Sequence, residues 1–346
     1  MSKLGVTLSL CFIFILTALI IIFFHPITKI LYNNPVCGDG SLERTCSISK
    51  PYFCYNGILR EKATTCGCPG NLTQVGDSCY SDFQMKPKEI TLKYVLRGQE
   101  NKFNYIVYGG LTDYLSKLPA SISYNLTAQP LRVDFKLRDI NEEQQKYLLL
   151  PLVAEIQNRA SDKEDQARIA ISIVQNIQWG LSDKKTVFRD TTLDYSRHPY
   201  EVLYDGQGIC GEKSELLAFL LREIGYDVAL FYNQEENHES VGIKCPIEKS
   251  WDGTGYCFVE TTGPSIITDT SISYAGGLTI KTEPQVLKIS DGLSLSDDMY
   301  EYKDAETLMD IRKTLNGKSF FFNPIKFISF NNLENKYGLA KEYNAG

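Results

Sequence analysis

The chain has 346 residues, 43% hydrophobic and 12% aromatic, with a formal net charge of −6. That length allows one large domain or two small ones, and the apolar share excludes a disordered chain. The acidic balance, with no basic run interleaved with aromatics, argues against nucleic acid as a partner.

Leu4 to Phe24 is a run of 21 residues without a charge, just long enough to cross a bilayer at about 1.5 Å per residue. Lys3 precedes it and Lys29 follows, so flanking charge orients it only weakly. The competing reading is a cleaved signal peptide. The run is long for that role, and His25, Pro26, Ile27 and Thr28 offer no small-x-small cleavage site. Cys11 follows Leu10, too large a residue for a lipoprotein signal. Residues 1–31 are therefore expected to be a short inner stub and an uncleaved anchor, with residues 4–24 in the membrane. The protein is expected to be single-pass in the cell membrane, with its C-terminal part extracytoplasmic.

Ten cysteines occur in the chain. Cys37, Cys46, Cys54, Cys66, Cys68 and Cys79 crowd a Gly- and Asn-rich segment with too little apolar pattern to bury a core. Disulfides or a metal hold such segments. Zinc is the competing reading, but the spacings are irregular, no Cys-x-x-Cys pair occurs and no His lies among them. Residues 32–86 are thus expected to form a disulfide module in an oxidising space, with its pairing open. Asn71-Leu72-Thr73 and Asn125-Leu126-Thr127 are glycosylation sequons that agree with that side.

An α/β lead-in is expected over residues 87–160. Glu89–Val95 and Phe103–Tyr108 carry β-formers around a Gly98–Asn101 turn, which predicts a hairpin. Leu131–Leu137 alternates apolar and charged residues and predicts a strand. Asn141 opens a helix to about Asn158 that Pro151 should kink. Residues 161–346 are expected to form the main domain with a C-terminal extension. Ser161 and Asp162 cap a helix with an apolar stripe from Ala167 to Ile177. Thr186–His198 predicts a long loop.

Asp205-Gly206-Gln207-Gly208-Ile209-Cys210-Gly211 is a tight glycine turn. Leu216, Leu217, Phe219, Leu220, Leu221 and Ile224 then predict a buried helix that Gly225 ends. Cys210 would stand at the N-terminus of that helix, where unpaired N–H groups and the helix dipole favour a thiolate and can hold an oxyanion. Cys245 and Cys257 flank a Gly253–Gly255 turn between two predicted strands and can pair with each other. The six N-terminal cysteines can pair among themselves, which leaves Cys210 as the odd one. The alternative for Cys210 is a disulfide half or a core residue.

A thiol nucleophile needs a base and an orienting group. His238 opens a strand pattern 28 residues after Cys210. Tyr256–Val259 is the next strand, and Glu260 follows it. If the two strands pair, His238 and Glu260 fall toward one end. Cys245 is seven residues past His238 while Cys257 is three before Glu260, so a bulge or offset is expected. Gln207 or a backbone N–H would complete an oxyanion hole, with turn-filling as the other role for Gln207.

These residues resemble the transglutaminase-like superfamily of transglutaminases and related cysteine peptidases. The resemblance runs from about Asp162 to Asp269. It rests on His198-Pro199-Tyr200-Glu201-Val202-Leu203, Gly208-Ile209-Cys210-Gly211-Glu212-Lys213-Ser214, the Gly225–Ala229 strand, His238 with Val241 and Gly242, and Glu260-Thr261-Thr262. Glu260 stands where most members carry Asp. The resemblance implies an α+β fold with a papain/transglutaminase-like core, in which the Cys-bearing helix packs on an antiparallel sheet. It implies a Cys210–His238–Glu260 triad, a thioester intermediate, and amide hydrolysis or acyl transfer on a protein or peptide substrate. No cofactor or metal is expected, since no calcium-site pattern occurs. The alternative is an inactive surface scaffold or adhesion protein that keeps the fold alone.

The tail is expected to hold strand residues near Leu278, Ile280 and Val286, a helix over Asp304–Leu315, and a β-rich run over Ser319–Phe330.

Overall fold

The protein is described from a computed structural model over residues 35–119, 121–124, 128–188, 191–271, 273–274, 278–315 and 324–339. The expected anchor at 4–24, Cys11 and the Asn125 sequon lie outside those residues. Among the described residues no helix is long and apolar enough to cross a membrane. The architecture is mixed α and β with several small sheets.

The cysteine-rich segment folds as hairpins β1 (Tyr52–Tyr55)–β2 (Ile58–Glu61) and β3 (Thr73–Val75)–β4 (Ser78–Tyr80), with one short turn of helix, α1 (Ala63–Cys66), between them. Cys37–Cys54, Cys46–Cys66 and Cys68–Cys79 staple it. The staples are needed because its own core is little more than Cys37, Tyr52, Cys54 and Leu59, closed by Ala154. Asn71 is exposed.

β5 (Pro87–Leu96) and β6 (Gln99–Tyr108) form the long hairpin, and α2 (Gly109–Leu115) follows directly. Next comes α3 (Arg132–Ile140), where the alternation predicted a strand. Val133 and Leu137 satisfy both a period of two and a helical i, i+4 step, and Ile140 at i+7 settles the ambiguity. Asp134 accepts the Leu131 N–H at 2.7 Å and caps the helix start. α4 (Glu143–Arg159) runs through Pro151, and α5 (Lys163–Gln175) is capped by Asp162, whose carboxylate accepts the Asp165 N–H at 2.9 Å.

β7 (Gln178–Trp179) leads to β8 (Lys185–Phe188) and β9 (Thr191–Asp194), an antiparallel hairpin in place of the expected loop. Val187, Phe188, Thr191 and Thr192 supply the β-branched and aromatic residues that make strands. α6 (Pro199–Asp205) ends at Gly206, whose φ of 70° is a left-handed C-cap. β10 (Gln207–Gly208) then pairs in parallel with β7, and α7 (Cys210–Ile224) begins at once.

α7 is the central element. Leu216 to Leu221 are all 0% exposed, and the four leucines and Phe219 among them each contribute about 1.5–3 kcal/mol of burial. It ends at Gly225, φ 116°. The helix lies on a four-stranded antiparallel sheet in the order β13 (Tyr256–Val259), β12 (His238–Lys244), β11 (Val228–Asn233), β16 (Gln285–Ser290). Val241, Ile243 and Val259 join the α7 core, and so do residues of β5, β6, α4 and α5. On the other side Trp251 stands edge-on to Phe231 and Phe258, each at 5.0 Å between ring centroids. Gly242 is the only residue type that fits there, because a Cβ would come within 2.8 Å of the Phe231 ring.

Cys245 and Cys257 are bonded. Replacing both with alanine should cost about 2–4 kcal/mol in denaturant unfolding, since the bridge closes a short loop. The bridge lies at the far end of β12 from His238, so the surroundings of His238 in the folded fraction should be unchanged.

A short β14–β15 pair (Ser273–Tyr274, Leu278–Thr279) precedes β16, and two helices follow, α8 (Tyr300–Leu315) and α9 (Pro324–Tyr337). The expected β-rich run lies partly outside the described residues, and its remainder opens α9 instead. Pro324 starts that helix, a position where its missing N–H costs nothing. Phe330 and Leu333, three apart, pack with Ala305, Leu308 and Ile311 of α8.

Candidate active site

Cys210 occupies the first position of α7, is half-buried, and is the free cysteine among the described residues. Close neighbours crowd the glycines on either side. A Cβ at Gly211 would meet the Glu239 carboxylate at 2.6 Å, and one at Gly208 would meet Lys213 and Val202 at 3.2 Å.

His238 begins β12 after a turn in which Asn237 has φ 48°. It is 2% exposed, and Glu260 is fully buried just past β13. The ladder pairs Val241 with Val259 and Ile243 with Cys257 without a break. In that register Glu260 sits opposite Ser240, one diagonal step from His238. Cys245 is likewise diagonal to Cys257. The four-residue mismatch expected to need a bulge or offset is therefore an offset divided between two diagonal pairs, which long side chains can span. The extra methylene of glutamate suits that reach. His238 Nε2 and Glu260 Oε2 are 2.8 Å apart.

With Nε2 held by Glu260, Nδ1 is the ring nitrogen left for Cys210, which is in hydrogen-bond contact with His238. Burial disfavours the charged imidazole, but the contacts to Cys210 and Glu260 outweigh it and push the His238 pKa up from 6.5 to about 9. Stability contributed by this pairing is therefore complete below about pH 6.5 and is lost as pH rises through about 9.

Burial alone would raise the Glu260 pKa. Hydrogen bonds from His238 and Thr262 instead hold it below the usual carboxylate value. Its Oε1 accepts the Thr261 N–H at 2.9 Å, the Thr262 N–H at 2.8 Å and the Thr262 hydroxyl at 2.8 Å. Both carboxylate oxygens are thus anchored, and Gln175 of α5 donates to the Glu260 carbonyl at 2.9 Å.

Further contacts join α7 to the segment that follows β13. The Ser214 and Thr261 hydroxyls are 3.1 Å apart, and Thr261 donates to the Cys210 carbonyl at 3.4 Å. Glu239, next to His238, is gripped by Arg132 and Lys136 of α3 at 2.5 and 2.7 Å. Lys136 also reaches Glu215 of α7 at 2.6 Å. The buried Lys213 ammonium donates to the Ile177 carbonyl at 2.6 Å, and burial lowers its pKa to about 8. The helix α3, read from sequence as a strand, thus braces the β12 end that carries His238.

Gln207 has its amide oxygen against Gly180, where a Cβ would meet it at 2.6 Å. That contact fits the turn-filling role better than an oxyanion role. Trp179, paired with Gly208 in the parallel ladder, is 44% exposed beside the Cys210 turn. Among the described residues no group of three or more His, Cys, Asp or Glu is placed to hold a metal.

The arrangement can deprotonate a thiol, hold an imidazolium and leave backbone N–H groups at a helix start. No family model matches the chain, and no curated protein matches it. One solved structure it is similar to is that of a candidate protease from Parabacteroides distasonis ATCC 8503, at 14% identity and a TM-score of 0.25. That match covers 54% of this chain and 43% of the other. The chain thus spans less than half of that protein.

Proposed function

We propose that this protein is an extracytoplasmic thiol enzyme of the transglutaminase-like type, acting on amide bonds of protein or peptide substrates through Cys210, His238 and Glu260. The observation that carries the reading is the free Cys210 at a buried helix start, in contact with a histidine that a fully anchored glutamate orients.

In this reading Cys210 Sγ attacks the amide carbonyl, and the oxyanion meets the N–H groups at the start of α7. His238 passes its proton to the leaving amine, and the acyl group stays on Sγ as a thioester. Water or a second amine then attacks the thioester, and His238 takes up the proton of that nucleophile. Residues 161–346 would carry the chemistry, with residues 32–86 as an accessory module and residues 4–24 holding the protein at the cell membrane. The four disulfides fit an oxidising space.

The test is a peptide-amide panel run with and without a primary amine such as monodansylcadaverine. Amine incorporation would mark a transferase, and cleavage alone a peptidase or amidase. Neither, with Cys210 unreactive, would return the chain to the scaffold alternative.

A further inference from the structure

The turn entering α7 is held by a buried ion pair with no part in the chemistry above. Arg197 and Glu212 are each 2% exposed. Glu212 stands in the first turn of α7. Its Oε2 accepts the Ile209 N–H at 3.0 Å and Arg197 Nη1 at 3.1 Å. Its Oε1 accepts the Arg197 backbone N–H at 2.8 Å. The same guanidinium donates to Asp205 at 2.7 Å and to the Gly180 and Leu181 carbonyls at 3.1 Å each. One side chain therefore joins the exit of β7, the end of α6 and the first turn of the helix that begins with Cys210.

Glu212 takes the Ile209 amide and so sets the orientation of the chain as it enters the helix. The next two N–H groups, of Cys210 and Gly211, have no acceptor within the helix because of their position in it. We propose that Arg197, acting through Glu212, is a positioning residue that fixes these two amides as the oxyanion donors for acyl transfer. The inference rests on the thiol-enzyme reading. It places the oxyanion hole in the backbone, aligned by a forked guanidinium whose contacts a lysine cannot reproduce.

Two reagents separate this role from a structural one. With p-nitrophenyl acetate, Cys210 Sγ attacks the ester carbonyl, p-nitrophenolate leaves and an acetyl thioester forms, so an oxyanion must be stabilised. With iodoacetamide, Sγ displaces iodide from carbon and no oxyanion arises. The variants are R197K, which keeps the charge, and R197M/E212Q, which removes both charges and leaves no unpaired buried ion at that pair.

In both variants acylation should fall about 10²-fold, while alkylation stays within about threefold of the parent. Unchanged acylation would overturn the inference and leave the enzyme reading standing. So would acylation and alkylation falling together, which is the mark of a structural role. A parent protein whose Cys210 reacts with neither reagent would overturn the thiol-enzyme reading and this inference with it.

Discussion

Cys210→Ala is expected to reduce turnover of any amide substrate on the order of 10⁶-fold, to the background rate. The melting temperature should stay close to that of the parent. Alanine is a good helix former, and Cys210 is half-buried at a helix start, so the change opens no enclosed cavity. Differential scanning fluorimetry and a substrate assay on the same preparation check both halves. Loss of activity together with loss of fold would make Cys210 a core residue instead.

Glu260→Gln is the second large effect. The glutamine keeps the shape but not the charge, and its amide can present the wrong group to His238. By analogy with other triads, kcat should fall about 10²–10⁴-fold. The pH profile gives the sharper reading. In the proposed mechanism His238 must be protonated, so the parent should lose activity as pH rises through about 9. Glu260 is among the groups that raise the His238 pKa, so its loss should move the alkaline limb downward, toward the ordinary 6.5. A limb that did not move would mean that Glu260 does not act on His238.

Much of the candidate site's layout is legible in the sequence. Cys210 stood out because three glycines precede or follow it and an apolar run comes next, both local signals of a helix start. Its want of a disulfide partner followed from counting. His238 and Glu260 fall on neighbouring strands, and the seven-against-three spacing signals an offset; spacing alone does not say that it is shared between two diagonal pairs of opposite sense. The strand expected at Leu131–Leu137 became α3 because alternation and helical spacing coincide over so short a window. The expected loop before His198 became a hairpin, since a few β-formers near a turn make a weak signal.

The supporting contacts were not legible at all. Arg197 binds carbonyls 16 and 17 residues away and a carboxylate 15 residues away. Lys136 reaches Glu215, 79 residues on. A charged side chain buried by distant partners looks in sequence like any surface charge. Only the fold shows that these residues frame the turn at Cys210 and the end of β12.

The pairing of Cys210 with His238 is tested by the rate at which iodoacetamide modifies Cys210 at pH 7, read by peptide mass spectrometry in the parent and in His238→Ala. Modification is expected to be faster than that of free cysteine in the parent and at least about tenfold slower in His238→Ala, because His238 is the base placed to take the proton of the attacking thiol. Equal rates in the two proteins, or a parent Cys210 that stays unmodified, would contradict that pairing.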